Sequence, residues 1–326
     1  MNRQTKPLKP YHGILVLILA AICVFFIGPF LGTYMGLYGT LVSELLLLGI
    51  AVGCTYLFKG NLRYVFPIRK PTACGLFGTF LFWMGVIGIT MVFTMLLAYF
   101  FPAQIMGTSS ELSYAFMSTP ALISVLIVSI APAFCEEAVF RGVVFNSFWP
   151  IGNKWVVIVL TGCIFGAFHG SIWRFLPTAI LGMALAYILA ETGNMVYCAV
   201  FHAVNNLLPL LMMFGMQILM QILSAVSGGY ADAAIYGSMT AASMNIPFAS
   251  VGIYIVGSGI SLFLLYIGNF LLHKGKPGYE GKLFEGKRKK HLYILLIVAA
   301  ALFIIGCISI AGSVFMQGVG RMMYQR

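Results

Sequence analysis

Three short stretches combine residue types that can do chemistry. They are Glu136-Glu137-Ala-Val-Phe-Arg141, Phe165-Gly-Ala-Phe-His169 and His202-Ala-Val-Asn-Asn206. Each contains a pair spaced i,i+4, which on a helix shares one face. Glu137 can therefore meet Arg141, Phe165 lies over His169, and His202 projects beside Asn206. Glu136 points about 100° away from Glu137 and stays free of the Arg141 pair. Amide hydrolysis needs a base, an acid and a site for a developing anion. A free carboxylate, two imidazoles and an amide are side chains of those kinds.

The elements that carry these residues are membrane helices. Of 326 residues, 61% are hydrophobic and 8% are charged, against about 25% charged in a typical soluble domain. Mean hydropathy is +0.98. This composition excludes a soluble enzyme, a disordered chain and a nucleic-acid module. Apolar runs near 13–31, 36–58, 74–101, 121–148, 155–171, 175–191, 195–224, 247–272 and 292–316 predict an all-α, polytopic membrane helix bundle of eight or nine spans. Ionisable side chains inside a bilayer are costly and mark function by default. With Trp149–Asn153 as the turn between the fourth and fifth spans, Glu136 lies about 15 residues before it and His169 about 17 after it. At about 1.5 Å per residue both stand roughly 22–26 Å above the turn. His202 lies about 14 Å beyond the turn at Thr192–Asn194. The three groups can meet within the membrane.

The net charge of +11 follows topology. Arg3, Lys6 and Lys9 precede the first span. Lys59, Arg63, Arg69 and Lys70 follow the second. Lys274, Lys276, Lys282, Lys287, Arg288, Lys289 and Lys290 crowd 273–291. Counted over nine spans, all three segments fall on one side, which the positive-inside rule makes cytoplasmic. Glu111 and Asp232 fall on the opposite side. The 273–291 cluster reads as a membrane anchor. The seven cysteines are single residues in apolar runs and read as small buried hydrophobes. No cleavable signal peptide is expected. Glu44, in Ser43-Glu-Leu-Leu-Leu-Leu48, has no partner pattern and reads as structural, with a polar place in a substrate cavity as the alternative. Arg174, beside Trp173 at a span boundary, reads as an interface anchor. Glu191 at a helix end is expected to be solvated.

Taken together and in this order, the three motifs resemble the CPBP family, the CAAX proteases and bacteriocin-processing enzymes also called Abi. The resemblance runs over about 125–210. It implies a multi-pass intramembrane endopeptidase acting on a membrane-embedded peptide or protein. It implies Glu136 as the catalytic glutamate that activates a water. His169 would assist the water and the leaving amine, and His202 and Asn206 would stabilise the oxyanion. Glu137 and Arg141 are supporting residues. A rival chemistry uses Glu136, His169 and His202 as three zinc ligands plus water. The usual His-Glu-x-x-His helix is absent, and the metal-free glutamate mechanism is preferred, with no cofactor. The single aspartate, Asp232, removes an aspartyl dyad, and Gly257-Ser258-Gly259 lacks the rhomboid spacing. The competing functions are a catalytically silent membrane scaffold of the immunity kind and a proton-coupled transporter. The latter lacks an inverted repeat. The expected organisation is N-terminal membrane helices over 1–120, a catalytic core over 121–215 and C-terminal membrane helices over 216–326. The expected location is the cell membrane with a cytoplasmic N-terminus.

Overall fold

The structure is a computed structural model that describes residues 7–105, 119–227 and 246–324; Arg3, Lys6, Glu111 and Asp232 lie outside them. Among the described residues the secondary structure is helical, with no strand. Nine helical segments follow one another among the described residues: α1 (Pro10–Met35), α2 (Leu37–Leu57), α3 (Ala73–Phe100), α4 (Ala121–Ile151), α5 (Lys154–Ala167), α6 (Ile172–Thr192), α7 (Met195–Ser227), α8 (Phe248–Leu272) and α9 (Lys289–Tyr324). Eight are long and apolar enough to cross a membrane, and α5 is the short one. The chain is an all-α, multi-pass membrane protein, as its long apolar runs predict.

The helices fall into two compact units. One holds the described residues of Met1–Leu76 and Glu111–Gly215, and the other those of Phe77–Ser110 and Met216–Arg326. In the second unit α3, α8 and α9 pack through small residues, the usual device where lipid removes the hydrophobic drive between helices. A Cβ on Gly252 would come 2.7 Å from the Gly306 carbonyl, and one on Gly268 2.7 Å from the Gly78 carbonyl.

The first unit positions the candidate chemistry. One end is tied by polar contacts among its loops. Asn194 accepts from the Arg69 N–H and donates to the Arg69 carbonyl, both at 3.1 Å. Asn146 donates to the Val65 carbonyl at 3.3 Å. Lys154 pairs with Glu191 at 2.7 Å in an exposed position, so the solvated helix-end acid is also paired. His12 stacks on Phe58 with ring centroids 4.2 Å apart. The start of α1, the 58–72 loop, the 149–153 turn and the 193–194 junction therefore share an end, as the charge pattern predicts for the first two.

Helices α1 and α4 are not regular. Each contains a π-helical stretch just before a proline: Cys23–Ile27 before Pro29, and Leu126–Ile130 before Pro132. Proline has no N–H to give the carbonyl four residues back and its ring crowds that carbonyl, so the helix widens to pass it. Helix α4 widens again over Ala138–Val144, directly after Glu137. Asn146 donates to the Gly142 carbonyl at 2.7 Å and satisfies part of that loosened turn.

Candidate active site

The fifth apolar run reaches 171 in the sequence, but helix α5 stops at Ala167. The Phe168 and His169 amides close the last turns onto Ile164 and Gly166, and Gly170 takes a left-handed φ of +66°. His169 thus sits on the tight turn into α6 and not inside the helix. With 14 residues, α5 rises about 21 Å, less than the roughly 30 Å hydrocarbon core. The turn is held down by close packing of α5 on α6. A Cβ on Gly166 would lie 2.7 Å from the Phe175 carbonyl, and one on Gly162 2.7 Å from the Met183 amide.

Glu136 and Glu137 lie between the two widened stretches of α4 and face different partners. Glu137 is fully buried. Its Oε1 is 3.1 Å from Arg141 Nη1, the predicted pair, and also 2.8 Å from His202 Nδ1. The second contact is not in the sequence reading, which gave Glu137 to Arg141 alone. An ionised carboxylate only accepts, so this bond places a proton on His202 Nδ1. Arg141 is 1% exposed, donates to the Gly182 carbonyl at 3.1 Å, and lies over the Phe165 ring at 4.4 Å.

Glu136 is the open carboxylate, as its helical phase predicts. Its Oε2 is buried without a hydrogen-bond partner and stands 3.9 Å from His202 Nε2. Together with His169 it lines a cavity of about 400 Å³ whose other walls come from α1, α2, Phe140 and Phe168. The His169 Nδ1 lies 2.9 Å from the Phe165 carbonyl. A carbonyl only accepts, so Nδ1 carries the proton and Nε2 keeps its lone pair for the cavity. The ring of Phe165 meets both imidazoles edge-on, with centroids 4.8 Å from His169 and 5.7 Å from His202. One aromatic side chain thus wedges both histidines and Arg141.

Asn206 donates from Nδ2 to the Val128 carbonyl at 3.1 Å. That carbonyl is the one Pro132 cannot serve, so the break in α4 is what anchors the amide of α7. Asn205 donates to Asn206 Oδ1 at 3.2 Å. His169, His202, Asn205 and Asn206 line a smaller pocket, of about 50 Å³, so His169 borders both.

The structure therefore brings Glu136, Glu137, Arg141, His169, His202 and Asn206 to one place. Two more residues join them, Arg174, expected as an interface anchor, and Glu44, expected first as structural. Arg174 lines the smaller pocket with His202 and Asn206 and is no mere interface anchor. Its place five residues after His169 was the available signal, once the intervening turn is known. Glu44 lines the larger cavity with Glu136 and His169. An unpaired acid in an apolar run was the signal there. Four cysteines, Cys23, Cys54, Cys135 and Cys198, are buried, Cys74 and Cys163 are half-buried, and Cys307 is exposed.

A zinc ion would need Glu136, His169 and His202 to converge on one point. Among the described residues no group of three or more His, Cys, Asp or Glu side chains is placed to hold a metal ion. His202 has its Nδ1 on Glu137, and His169 its Nδ1 on a backbone carbonyl. Both bonds leave Nε2 open, which is also how outer partners orient a histidine that ligates a metal.

Comparison with known proteins agrees with the motifs. Residues 117–208 match the Rce1-like family, described as type II CAAX prenyl endopeptidase Rce1-like. The matched stretch contains all three motifs and fits an intramembrane protease of the CPBP family. No curated protein and no solved structure matches the chain.

Proposed function

We propose that this CPBP-family chain is an intramembrane glutamic endopeptidase that hydrolyses a peptide bond in a membrane-embedded peptide or protein, with no metal in the chemistry. The observation that carries the reading is the buried, unpartnered Oε2 of Glu136, facing a cavity shared with His169 and 3.9 Å from His202.

In this reading Glu136 Oε2 takes a proton from a water held against His169 Nε2. The water oxygen attacks the scissile carbonyl carbon, and the carbonyl oxygen becomes an oxyanion. His202, with its Nδ1 proton fixed on Glu137, presents Nε2 to that oxyanion; as imidazolium it donates there, and Glu137 stabilises the charge. Asn206 Nδ2 has a second hydrogen beyond the one given to Val128, and Arg174 adds a cation on the same side. As the C–N bond breaks, the proton held by Glu136 or relayed through His169 passes to the leaving nitrogen. The shared end that carries Lys9 and the 59–73 loop faces the cytoplasm, and the chain resides in the cell membrane. The region 121–215 is the catalytic core, and the flanking membrane helices set which substrate enters.

The test is cleavage of membrane peptides by the purified chain in lipid nanodiscs. Proteomics of membrane peptides from cells with and without the protein supplies the candidates. The Glu136→Gln variant keeps the shape and removes the base, so it abolishes turnover while leaving the fold intact. Biological activity retained in that variant would point to a silent scaffold. Loss of pH-driven uptake without any proteolysis in the wild type would point to a transporter.

A further inference from the structure

Glu44 lies on α2, in a run of leucines, and is 6% exposed. Its Oε2 is buried with no hydrogen-bond partner. An isolated carboxylate in such a place is strongly unfavourable unless something pairs with it. A protonated carboxyl would need an acceptor in turn, and none is present among the described residues. Nor does α2 packing call for an acid, since the neighbouring Ser43 satisfies its own hydroxyl on the Gly39 carbonyl at 2.9 Å.

What Glu44 does face is the 400 Å³ cavity that also holds Glu136 and His169. Its volume falls in the range of ligand pockets, about 300–1,000 Å³. The walls combine apolar surface, from Val24, Leu47, Phe140 and Phe168, with the two carboxylates. No lysine or arginine lines it. Arg141 is already on Glu137, and Arg174 lines the smaller pocket instead. Apolar walls around a buried, unpaired carboxylate suit a side chain with an apolar stem and a cationic head.

We propose that this cavity is the specificity pocket of the peptidase, and that Glu44 selects a substrate with a lysine or arginine beside the scissile bond. The proposal rests on the peptidase reading above. Glu136 at the same cavity puts the bound side chain next to the attacking water, so the selected residue flanks the bond that breaks. The charge-assisted hydrogen bond to Glu44 supplies the missing partner, and the stem covers the apolar walls.

The experiment uses the full chain in nanodiscs and membrane-anchored peptides that differ at one residue flanking the cleaved bond: lysine, arginine, norleucine, glutamine or glutamate. The wild type favours lysine and arginine over norleucine by about tenfold or more in kcat/KM, because a site built around a polar contact discriminates against analogues lacking it. Glu44→Gln collapses that preference, so that lysine, arginine and norleucine peptides are cleaved with similar kcat/KM. Glu44→Lys favours glutamate. Cleavage with no basic preference, or a preference unchanged in Glu44→Gln, overturns the assignment and leaves the peptidase standing. Loss of turnover on every peptide in Glu44→Gln also overturns it, since the carboxylate would then serve the chemistry. If the wild type cleaves none of the peptides, the peptidase reading fails, and the pocket is read by equilibrium binding. Tighter binding of the lysine peptide than of the norleucine peptide, lost in Glu44→Gln, keeps the cationic pocket; equal binding overturns it.

Discussion

Arg141 offers the sharpest separation of structural support from chemistry. It is among the largest fully buried side chains, and three contacts end on it: the ion pair with Glu137 at 3.1 Å, the Gly182 carbonyl at 3.1 Å and the Phe165 ring at 4.4 Å. Arg141→Ala removes all three and leaves Glu137 buried with His202 as its remaining partner. Breaking one side of a buried pair costs about 3–5 kcal/mol, because the other charge is stranded. A folded protein has only roughly 5–15 kcal/mol in hand, so the variant should be scarce and should unfold at lower temperature. Glu137→Gln should do the same by stranding the guanidinium. The double variant Glu137→Gln, Arg141→Met removes both charges at similar volume. Its loss should be smaller than the sum of the single losses by about 0.5–3 kcal/mol, the range of direct couplings. Its activity should nevertheless stay low, because His202 Nδ1 has lost the carboxylate that fixes it. Thermal unfolding in detergent reads the first quantity, and peptide cleavage per folded molecule reads the second. Normal abundance and full activity in Arg141→Ala would refute the pair's role. A double variant restored in activity as well as stability would refute the second role of Glu137.

Other outcomes follow from the same geometry. In the proposed mechanism Asn206→Ala removes an oxyanion donor and should lower kcat by about 10²–10³, with KM little changed; an unaltered kcat would leave Asn206 as an anchor for Val128 alone. His169→Ala should lower kcat by about 10²–10⁴, the usual share of a positioned acid–base group. A chelator should leave cleavage unchanged, and one equivalent of zinc in the purified enzyme together with inactivation by chelator would reverse the choice of mechanism. Single cysteines placed at 64 and 280 in a background without native cysteines should both resist impermeant labels applied to intact cells; labelling from outside would overturn the cytoplasmic assignment for that loop.

Much of the site was legible because helices impose simple phase. The i,i+4 spacing gave the Glu137–Arg141 pair and left Glu136 free, as the structure has them. Counting residues from the 149–153 turn put Glu136 and His169 level, and both line one cavity. The Glu137–His202 bond was not legible, since it depends on how α7 is rotated about its axis against α4. Arg174 was misread for a similar reason. The apolar run hides where α5 ends, and with α5 carried to 171 the cation falls at a membrane boundary. Once the helix ends at Ala167, the turn at Gly170 folds Arg174 back beside His169 and His202.

The two prolines were in plain view, and their consequence is chemical as well as geometric. A membrane helix cannot leave a carbonyl unpaired in hydrocarbon without a cost of several kcal/mol, so a proline in a span calls for a donor from elsewhere. In α4 that donor is Asn206, and Ser129 in turn donates to the Ala203 carbonyl of α7 at 2.7 Å. The exchange pins α7 against α4 about two helical turns from Glu136 and sets the rotation that brings His202 onto Glu137. Pro29 opens α1 in the same way, where Val24, Gly28 and Gly32 line the cavity before Glu44 and Glu136. A regular α-helix at either place would close its own hydrogen bonds and give the neighbouring helix nothing to hold. The irregular backbone lies where the reactive side chains are because their alignment depends on the bonds it leaves open.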